Sequence, residues 1–331
     1  MNSREQACWL TLTFESKLST RTVNDILVIW CKQLERTIED FFAADPQEWR
    51  TSCHLKEEFI QRLEQAKEKL VAQAFLVEQL QHAGISMITV LDEHYPKSLK
   101  QALDRTHIPS VLFYAGDLAI LQRQTIAVIG SRNASETSLN FTRTVAQYLA
   151  DNDVNVISGH ARGVDRAAYE GATATDGHTT VVLPQGIRKL SKTQLRDLQP
   201  RIAAGRVLLL SQFHPDAPWM VSRAMERNKV VTGLAQVVIV AESAAKGGTW
   251  EGANGALKQK RPLFVRQTDD ADTLPGNKLL LELGGKALHW PTSNVDDTFA
   301  PLLGTAQTVQ QKQYDVLPPP SQLSLLTINQ V

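Results

Sequence analysis

A short loop carries the first residues that could do chemistry. In "TIAVIGSRNAS", the apolar run Thr125–Ile129 leads directly into Gly130, Ser131 and Arg132, and Ser135 follows as the N-cap of a predicted helix. A strand, a turn of small residues and a helix start form a common phosphate-binding arrangement. Arginine stands here where nucleotide-hydrolysing loops carry Gly-Lys-Ser/Thr, so the loop predicts a phosphate that is held and not cleaved.

Other loops and one helix have the same character. Ligands bind at the carboxyl ends of parallel strands, so residues that follow different strands are expected to meet there. Arg223 and Arg227 lie four residues apart in a helical segment and therefore share a face. The other candidates that follow predicted strands are Ser158, Gly159, Arg162, Gly163, Lys246, Gly247, Gly248 and Thr249. Converging glycines, hydroxyls and cations predict an anion-binding site.

Motifs of several other chemistries are absent from the sequence. It contains no GxxxxGK[ST] loop, no GxGxxG after a strand, no HExxH and no GxSxG elbow. His160, His178 and His214 lie on different predicted units and do not form a metal-binding pattern. We therefore expect no cofactor, no metal and no enzyme activity.

Composition limits the broad class of the protein. The chain has 331 residues, of which 43% are hydrophobic, which is enough for two domains. Its 35 Lys and Arg balance 35 Asp and Glu, so any anion site must be local. Cys8, Cys31 and Cys53 lack metal spacing and predict buried thiols in a reducing compartment. The first residues are too polar for a secretory signal, so we expect a cytoplasmic protein without a membrane partner.

Two periodicities divide the chain. Residues from about Leu10 to Gly84 show helical spacing, and Gly84 is placed to end a long helix. The apolar stripe of that helix is Phe59, Leu63, Ala66, Leu70 and Ala74. Apolar runs then alternate with helical stretches, which predicts an α/β domain with a parallel sheet. Its predicted strands are Thr125–Ile129, Asn155–Ser158, Thr179–Leu183, Arg206–Leu210, Gln236–Val240, Pro262–Val265 and Ala287–Trp290. We place a helical domain at 1–90, the α/β domain at 91–292 and a flexible, Pro-containing tail at 293–331.

Seven blocks, together covering about residues 70 to 290, resemble the DNA-processing protein A (DprA/Smf) family. The blocks are "HYPKSLKQALDRTHIPSVLFYAGD", "IAVIGSRNAS", "VISGHARGVDRAAYEGA", "VVLPQGI", "RNKVVTGLAQVVIVAES", "KGGTWEGA" and "GNKLLLELGGKAL". The resemblance implies a helical sterile-alpha-motif-like (SAM-like) domain followed by an extended Rossmann-like domain. It also implies non-catalytic binding of single-stranded DNA in a basic pocket, a homodimer formed through the Rossmann-like domain, and help in loading a RecA-type recombinase during natural transformation. By this match Asn228 joins Arg227 in the pocket, followed by Lys229.

The chain departs from the family pattern at several positions. Lys229 stands where the family commonly has a second arginine, which exchanges a planar fork for a point charge. The other departures are Ala224-Met225 for Phe-Pro, His160 for an apolar residue, Tyr169 for histidine and Gln212 for an acid. We expect no counterpart of the C-terminal winged-helix domain of many members in the short tail.

The same residues are also compatible with other functions. The same edge could bind a free nucleotide, as a sensor in a mobile-element or anti-phage defence system. "KGGTWE" is partly similar to the PGGxGTxxE signature of cytokinin-activating phosphoribohydrolases, with Glu251 as a conceivable acid. Glu251 lies two residues after Thr249 where that signature needs three, which turns the side chain by about 100°. A scaffold that recruits partners through its helical domain or tail is the third alternative. If the ligand is single-stranded DNA, Trp219 or Trp250 could stack a base.

Overall fold

Two compact units form the part of the chain that the structure describes. The structure is a computed structural model, and it describes residues 1–268 and 275–315. We call the first unit, Met1–Tyr95 with Leu103–Phe113, the helical unit. It extends past the boundary that we predicted at residue 90.

Six α-helices build most of the helical unit. They are α1 (Ser3–Leu10), α2 (Thr20–Leu27), α3 (Ile38–Ala43), α4 (Pro46–Ser52), α5 (Glu57–Lys67) and α6 (Leu70–His82). Short π-helical segments, Thr11–Glu15 and Val28–Gln33, follow α1 and α2 directly. The ring of Phe41 lies 5.2 Å from each of the rings of Trp30 and Trp49. Side chains of this size bury enough apolar area to hold such short helices together.

The helical prediction was right in kind and wrong in one detail. The single long helix predicted before Gly84 is two helices, because the chain turns at Glu68 and Lys69 between α5 and α6. Gly84 ends α6 with a φ of +67°, as its position predicted. Two strands, β1 (Ser86–Thr89) and β2 (Val111–Ala115), were not predicted.

The second unit, which we call the α/β unit, comprises residues 96–102 and 114–315 in the described part. Its strands are β3 (Thr125–Ile129), β4 (Asn155–Ser158), β5 (Thr179–Val182), β6 (Val207–Ser211), β7 (Val237–Val240), β8 (Leu263–Gln267) and β9 (Lys286–His289). They pair in parallel in the order β6-β5-β4-β3-β7-β8-β9. The predicted parallel sheet is confirmed, with strand ends within two residues of those expected.

Helices cover this sheet because its strands are apolar on both faces. They are α7 (Lys97–Ala102), α8 (Glu136–Asp151), α9 (Val164–Ala174), α10 (Lys192–Ala203), α11 (Val221–Leu234), α12 (Gly248–Lys258), α13 (Pro275–Glu282) and α14 (Val295–Asp315). Ser135 caps α8, and Phe141, Val145 and Leu149 form its buried stripe, as predicted. These side chains share one core with apolar residues of β3, β4 and β7.

The prediction of a flexible tail from residue 293 is wrong for its first part. Residues 295–315 form α14, and Phe299, Leu302 and Ala306 are fully buried in the same core as Phe141. Their spacing of three and four residues places them on one helical face, a signal that the polar composition of the segment concealed. Residues 316–331, including the three prolines, lie outside the described residues.

Candidate functional site

A cavity of about 350 Å³ opens at the carboxyl edge of the sheet. It lies beside the ends of β3 and β7, where the strand order changes direction: the chain runs from β3 toward β6 on one side, and from β7 toward β9 on the other. Such a switch point is the usual ligand crevice of an open parallel sheet, because neighbouring loops diverge there. The loops after β3, β4 and β7, together with α11 and α12, supply the wall.

The guanidinium group of Arg227 is buried in the cavity wall. One of its terminal nitrogens donates to the carbonyl oxygen of Val182 at 2.8 Å, and the other lies 3.8 Å from a carboxylate oxygen of Asp165. Its Nε has no hydrogen-bond partner among the described residues. Burial lowers the pKa of Arg227, and the charge of Asp165 opposes this shift. A buried cation with unused donors is suited to accept an anion.

Gly159 makes room for this arginine. A Cβ at position 159 would lie 1.4 Å from a terminal guanidinium nitrogen of Arg227, which is far inside van der Waals contact. Any larger residue would force Arg227 out of the cavity wall. Gly159, which was predicted as part of an anion-binding site, therefore admits a side chain of the same protein.

Asp165 lies in the first turn of α9 and lines the same cavity. The backbone N–H groups of Gly159 and Ala161 hydrogen-bond to its carboxylate. Burial raises the pKa of Asp165, while Arg227, these two N–H groups and Arg132 lower it. Among the described lining residues it is the one carboxylate, beside the cations Arg132, Arg227 and Lys246.

Arg132 reaches the cavity mouth from a loop with a fixed backbone. Its guanidinium carbon lies 5.6 Å from the ring centre of Trp219, which is 45% exposed. The preceding residue, Ser131, donates its N–H to the carbonyl oxygen of Glu242 at 2.8 Å. Gly163, with a φ of +85°, allows the close approach, because a Cβ there would lie 2.3 Å from the carbonyl oxygen of Ser131.

The helix N-termini at this edge are not equivalent. The first turn of α8 is closed by the carboxylate of Glu242, which accepts hydrogen bonds from the N–H and hydroxyl of Ser135 and from the hydroxyl of Ser138. The N-cap of α12 is Gly247, and no side chain of the described residues caps it. Lys246, Gly248 and Thr249 at this end line the cavity. The N-terminus of α12 therefore has free N–H groups at the cavity.

The structure brings most, but not all, of the predicted residues together. Those that line the cavity are Gly130, Ser131, Arg132, Gly159, Arg227, Asn228, Lys246, Gly248 and Thr249. The amide nitrogen of Asn228 donates to the carbonyl oxygen of Gly248 at 3.2 Å and so ties α11 to α12. Ser158, Gly163, Lys229 and Gly247 neighbour the cavity in sequence but lie outside its lining.

Two predicted arginines point elsewhere. Arg162 donates to the side-chain oxygen of Asn133. Arg223 donates to the carbonyl oxygen of Pro218 at 2.6 Å, near the N-terminal end of α11, although it lies four residues before Arg227. Of the four predicted arginines, Arg132 and Arg227 therefore line the cavity, and Arg162 and Arg223 do not.

Sequence reasoning missed the apolar floor and one carboxylate. Ile129, Ala224, Met225 and Val231 contribute apolar surface to the cavity. Glu242 was not singled out, because its partners Ser135 and Ser138 lie more than 100 residues away in the sequence. A charged residue directly after the apolar run of β7 was the available signal.

Metal-binding clusters and membrane-spanning helices are absent from the described residues. Within residues 1–268 and 275–315, no group of three or more His, Cys, Asp or Glu side chains is placed to hold a metal ion. Among the helices described there, none combines the length and the apolar character that crossing a bilayer requires.

Known proteins are similar in sequence to the part of the chain that contains the cavity. The family model of DNA recombination-mediator protein A matches residues 86–298. Protein Smf of Escherichia coli is 30% identical over 211 residues, 64% of this chain and 53% of the relative. DNA processing protein DprA of Streptococcus pneumoniae is 31% identical over 177 residues, 54% of this chain and 61% of the relative. The chain thus matches little more than half the length of these relatives.

Two solved structures resemble the fold. The X-ray structure of DprA from Streptococcus pneumoniae superimposes with a TM-score of 0.70 at 22% identity, and covers 91% of this chain and 98% of its own. DNA processing protein A from Helicobacter pylori, whose structure was described for its single-stranded DNA binding mode, gives a TM-score of 0.57 at 28% identity. That match covers 66% of this chain and 96% of the relative.

Proposed function

The chain belongs to the DNA recombination-mediator protein A family, and on this premise we propose that it binds single-stranded DNA and holds the strand without cleaving it. The bound strand would then pass to a RecA-type recombinase. The Helicobacter pylori relative supports the choice of ligand, since its structure describes single-stranded DNA binding. The switch-point cavity supports the choice of site.

One observation carries the proposal. Arg132, Arg227 and Lys246 come from three separate segments and line one cavity, with Asp165 as the one carboxylate among the described lining residues. Guanidinium groups bind phosphate through paired N–H donors, and an ammonium group adds a point charge. The free N–H groups at the start of α12 add donors of the same polarity. The cavity is therefore suited to backbone phosphates, which position a strand without reading its sequence.

The apolar part of the cavity wall suits a base. Trp219 is 45% exposed at the cavity mouth, and Val221 and Met225 also line the cavity. Stacking of a base on an exposed aromatic ring contributes about 1–3 kcal/mol to single-strand binding. Trp250, the other candidate, lies outside the lining. Trp219 is therefore the residue that we propose for stacking.

The strand would be held and not cleaved. The carboxylate of Asp165 is already engaged by groups of the protein, since two backbone N–H groups and Arg227 face it. Glu251, the conceivable acid of a hydrolase, is exposed and lies outside the cavity lining. The geometry thus favours binding over N-glycosidic hydrolysis.

A free nucleotide is the second candidate ligand. A volume of about 350 Å³ falls within the range of small-molecule sites. Incubation with nucleoside monophosphates separates the possibilities: binding of mononucleotides as tight as that of an oligonucleotide would favour the sensor, and release of free base would show a hydrolase.

The partners are also proposals. We propose that two copies pair through their α/β units, and that the pair presents the strand to the recombinase. Sedimentation equilibrium of the full chain tests the pairing. A RecA-type recombinase that forms filaments on coated single strands no faster with the protein than without it would contradict the loading role.

Equilibrium binding tests the ligand. Fluorescence anisotropy of labelled oligo-dT and of a duplex of equal length, at low salt, should show tighter binding of the single strand. Arg132→Ala and Arg227→Ala should both weaken it. No affinity for oligo-dT, or unchanged affinity in both variants, would reject the proposal.

A further inference from the structure

Glu242 contacts both ends of the loop that carries Arg132. Its carbonyl oxygen accepts the N–H of Ser131 at 2.8 Å. Its carboxylate accepts the N–H of Ser135 at 3.1 Å, the hydroxyl of Ser135 at 2.7 Å and the hydroxyl of Ser138. The residues between these contacts include Arg132, so one residue at the end of β7 fixes the path of the loop.

Neighbouring positive groups compensate the negative charge of this buried carboxylate. Glu242 is 2% exposed, and a terminal guanidinium nitrogen of Arg266 lies 3.9 Å from its carboxylate oxygen. Arg266 is itself 1% exposed, and its Nε donates to the carbonyl oxygen of Ala241 at 2.9 Å. The positive end of α8 adds to this compensation. A buried charge with several partners is rigidly placed, because any movement would leave one of those partners unsatisfied.

The side chain of Arg132 depends on this backbone. Arg132 is exposed, and the contact described for its guanidinium is the face of Trp219. A further anchor is the N–H of Val164, which donates to the carbonyl oxygen of Ser131 at 3.2 Å. An exposed side chain that must meet a phosphate needs a backbone held to about half an ångström.

We propose that Glu242 is a positioning residue, which acts on the ligand through Arg132 by holding the Ser131–Ser135 loop against the end of β7. The assignment rests on the proposed single-strand binding, but the rigidity of the loop can be measured without any ligand. Glu242 itself does not line the cavity, so its effect on binding has to pass through the loop.

The first test needs no DNA. Hydrogen exchange of the full chain should show faster exchange at residues 131–135 in Glu242→Ala than in the native protein. Glu242→Gln keeps an acceptor oxygen for Ser135 and should recover most of the protection. The control is Asn155→Ala, which removes a buried polar group at the opposite, amino-terminal edge of the same sheet. It should leave the exchange of residues 131–135 unchanged.

The second test uses oligo-dT binding in a double-mutant cycle. Arg132→Ala and Glu242→Ala should each weaken binding roughly tenfold, and the double variant should be no weaker than the worse single variant. Glu242→Gln should lie within about threefold of the native protein. If Glu242→Ala unfolds the unit, Ser135→Ala with Ser138→Ala removes the two hydroxyl hydrogen bonds to the carboxylate and leaves the N–H of Ser135 and the pair with Arg266 in place.

Each outcome has a separate meaning. Faster exchange in the loop together with the non-additive cycle supports the positioning role. Unchanged exchange in Glu242→Ala, or fully additive losses, overturns it. If the native protein binds no oligo-dT at all, the proposed function fails, while the exchange experiment still decides whether Glu242 orders the loop.

Discussion

The connection from β3 to α8 and the connection from β7 to α12 lie side by side at the switch point, yet they differ in what occupies the helix N-terminus. At α8 the N-cap Ser135 donates its N–H and its hydroxyl to the carboxylate of Glu242, so a negative charge of the protein already lies beside the first turn. At α12 the N-cap is Gly247, without a side-chain cap among the described residues. The first connection therefore presents an arginine, and the second presents free N–H groups.

The connection from β4 to α9 is intermediate between these two. Asp165 accepts backbone N–H groups at its start and faces the buried Arg227. His160 in this connection has a left-handed backbone, with a φ of +54°. We therefore propose that carboxylates of the protein position the arginines, whereas the uncapped N-terminus of α12 contacts the ligand.

The largest effect is expected at Arg227, which lies on α11 and faces Asp165. Arg227→Ala removes a buried cation and leaves Asp165 without it, so affinity for oligo-dT should fall by about 100-fold, or about 2.7 kcal/mol. Anisotropy titration measures the change. Arg223→Ala, four residues earlier on α11 but outside the cavity lining, is the matched control and should stay within twofold. Equal losses in both variants would contradict the distinction.

The next effect is on stability and comes from His160. Burial, assisted by Arg166, lowers the pKa of His160 to about 4. Because the unfolded chain binds this proton at about pH 6.5, stability is full above that pH and is lost as the pH falls toward 4. The unfolding free energy should drop by about 2 kcal/mol between pH 7.5 and 5. Urea unfolding measures it, and His160→Gln should remove most of the drop.

A second histidine provides the control for that prediction. Burial and the neighbouring Arg123 and Arg206 also lower the pKa of His178, which lies directly before β5. His178→Gln should therefore remove a separate part of the pH dependence. If His160→Gln keeps the whole dependence, the loop histidine is not the group that titrates.

The connection from β3 to α8, which carries Arg132, should show a smaller loss of binding than Arg227. Arg132→Ala removes one exposed cation whose backbone is fixed, so affinity should fall about tenfold, or about 1.4 kcal/mol. Arg162→Ala is the matched control, because Arg162 is bonded to Asn133 and lies outside the cavity lining. A weakening of equal size in Arg162→Ala would show that general charge, and not the cavity, binds the strand.

The smallest effect on binding is expected at the connection from β7 to α12, which carries Lys246. Lys246 is exposed, and its ammonium group adds a screened charge beside the start of α12. Lys246→Ala should weaken binding about threefold at low salt, with little change above about 0.3 M salt. Lys258→Ala, at the opposite end of the same helix, should have no effect. A loss that persists at high salt would show a direct, buried contact.

Sequence reasoning found the sheet because its strands are continuous apolar runs, as strands covered on both faces must be. The same reasoning missed the turn between α5 and α6, since Glu68 and Lys69 are good helix formers and give no signal for a break. It also took the region from residue 293 onward as a flexible tail, although Phe299, Leu302 and Ala306 are buried. The polar composition of that region predicted a tail, whereas the spacing of its apolar residues would have predicted a helix.

The candidate site was predictable to a similar degree. Glycines and cations after strands pointed to the edge at which the cavity opens, because parallel topology brings those positions together. Spacing could not predict where the side chains of Arg162 and Arg223 point, because each donates a hydrogen bond to a nearby group. Their acceptors are the side chain of Asn133 and the carbonyl oxygen of Pro218. The role of Glu242 depends on contacts more than 100 residues apart in the chain, which the sequence does not reveal.

The dependence of oligo-dT affinity on salt tests the central claim most directly, because it counts the phosphates that the cavity neutralises. Three phosphate contacts predict that log affinity falls with log salt at a slope near −2, by about 0.7 for each contact. Arg132→Ala should reduce the slope to about −1.4. A native slope near zero, or a slope that Arg132→Ala leaves unchanged, would contradict the account.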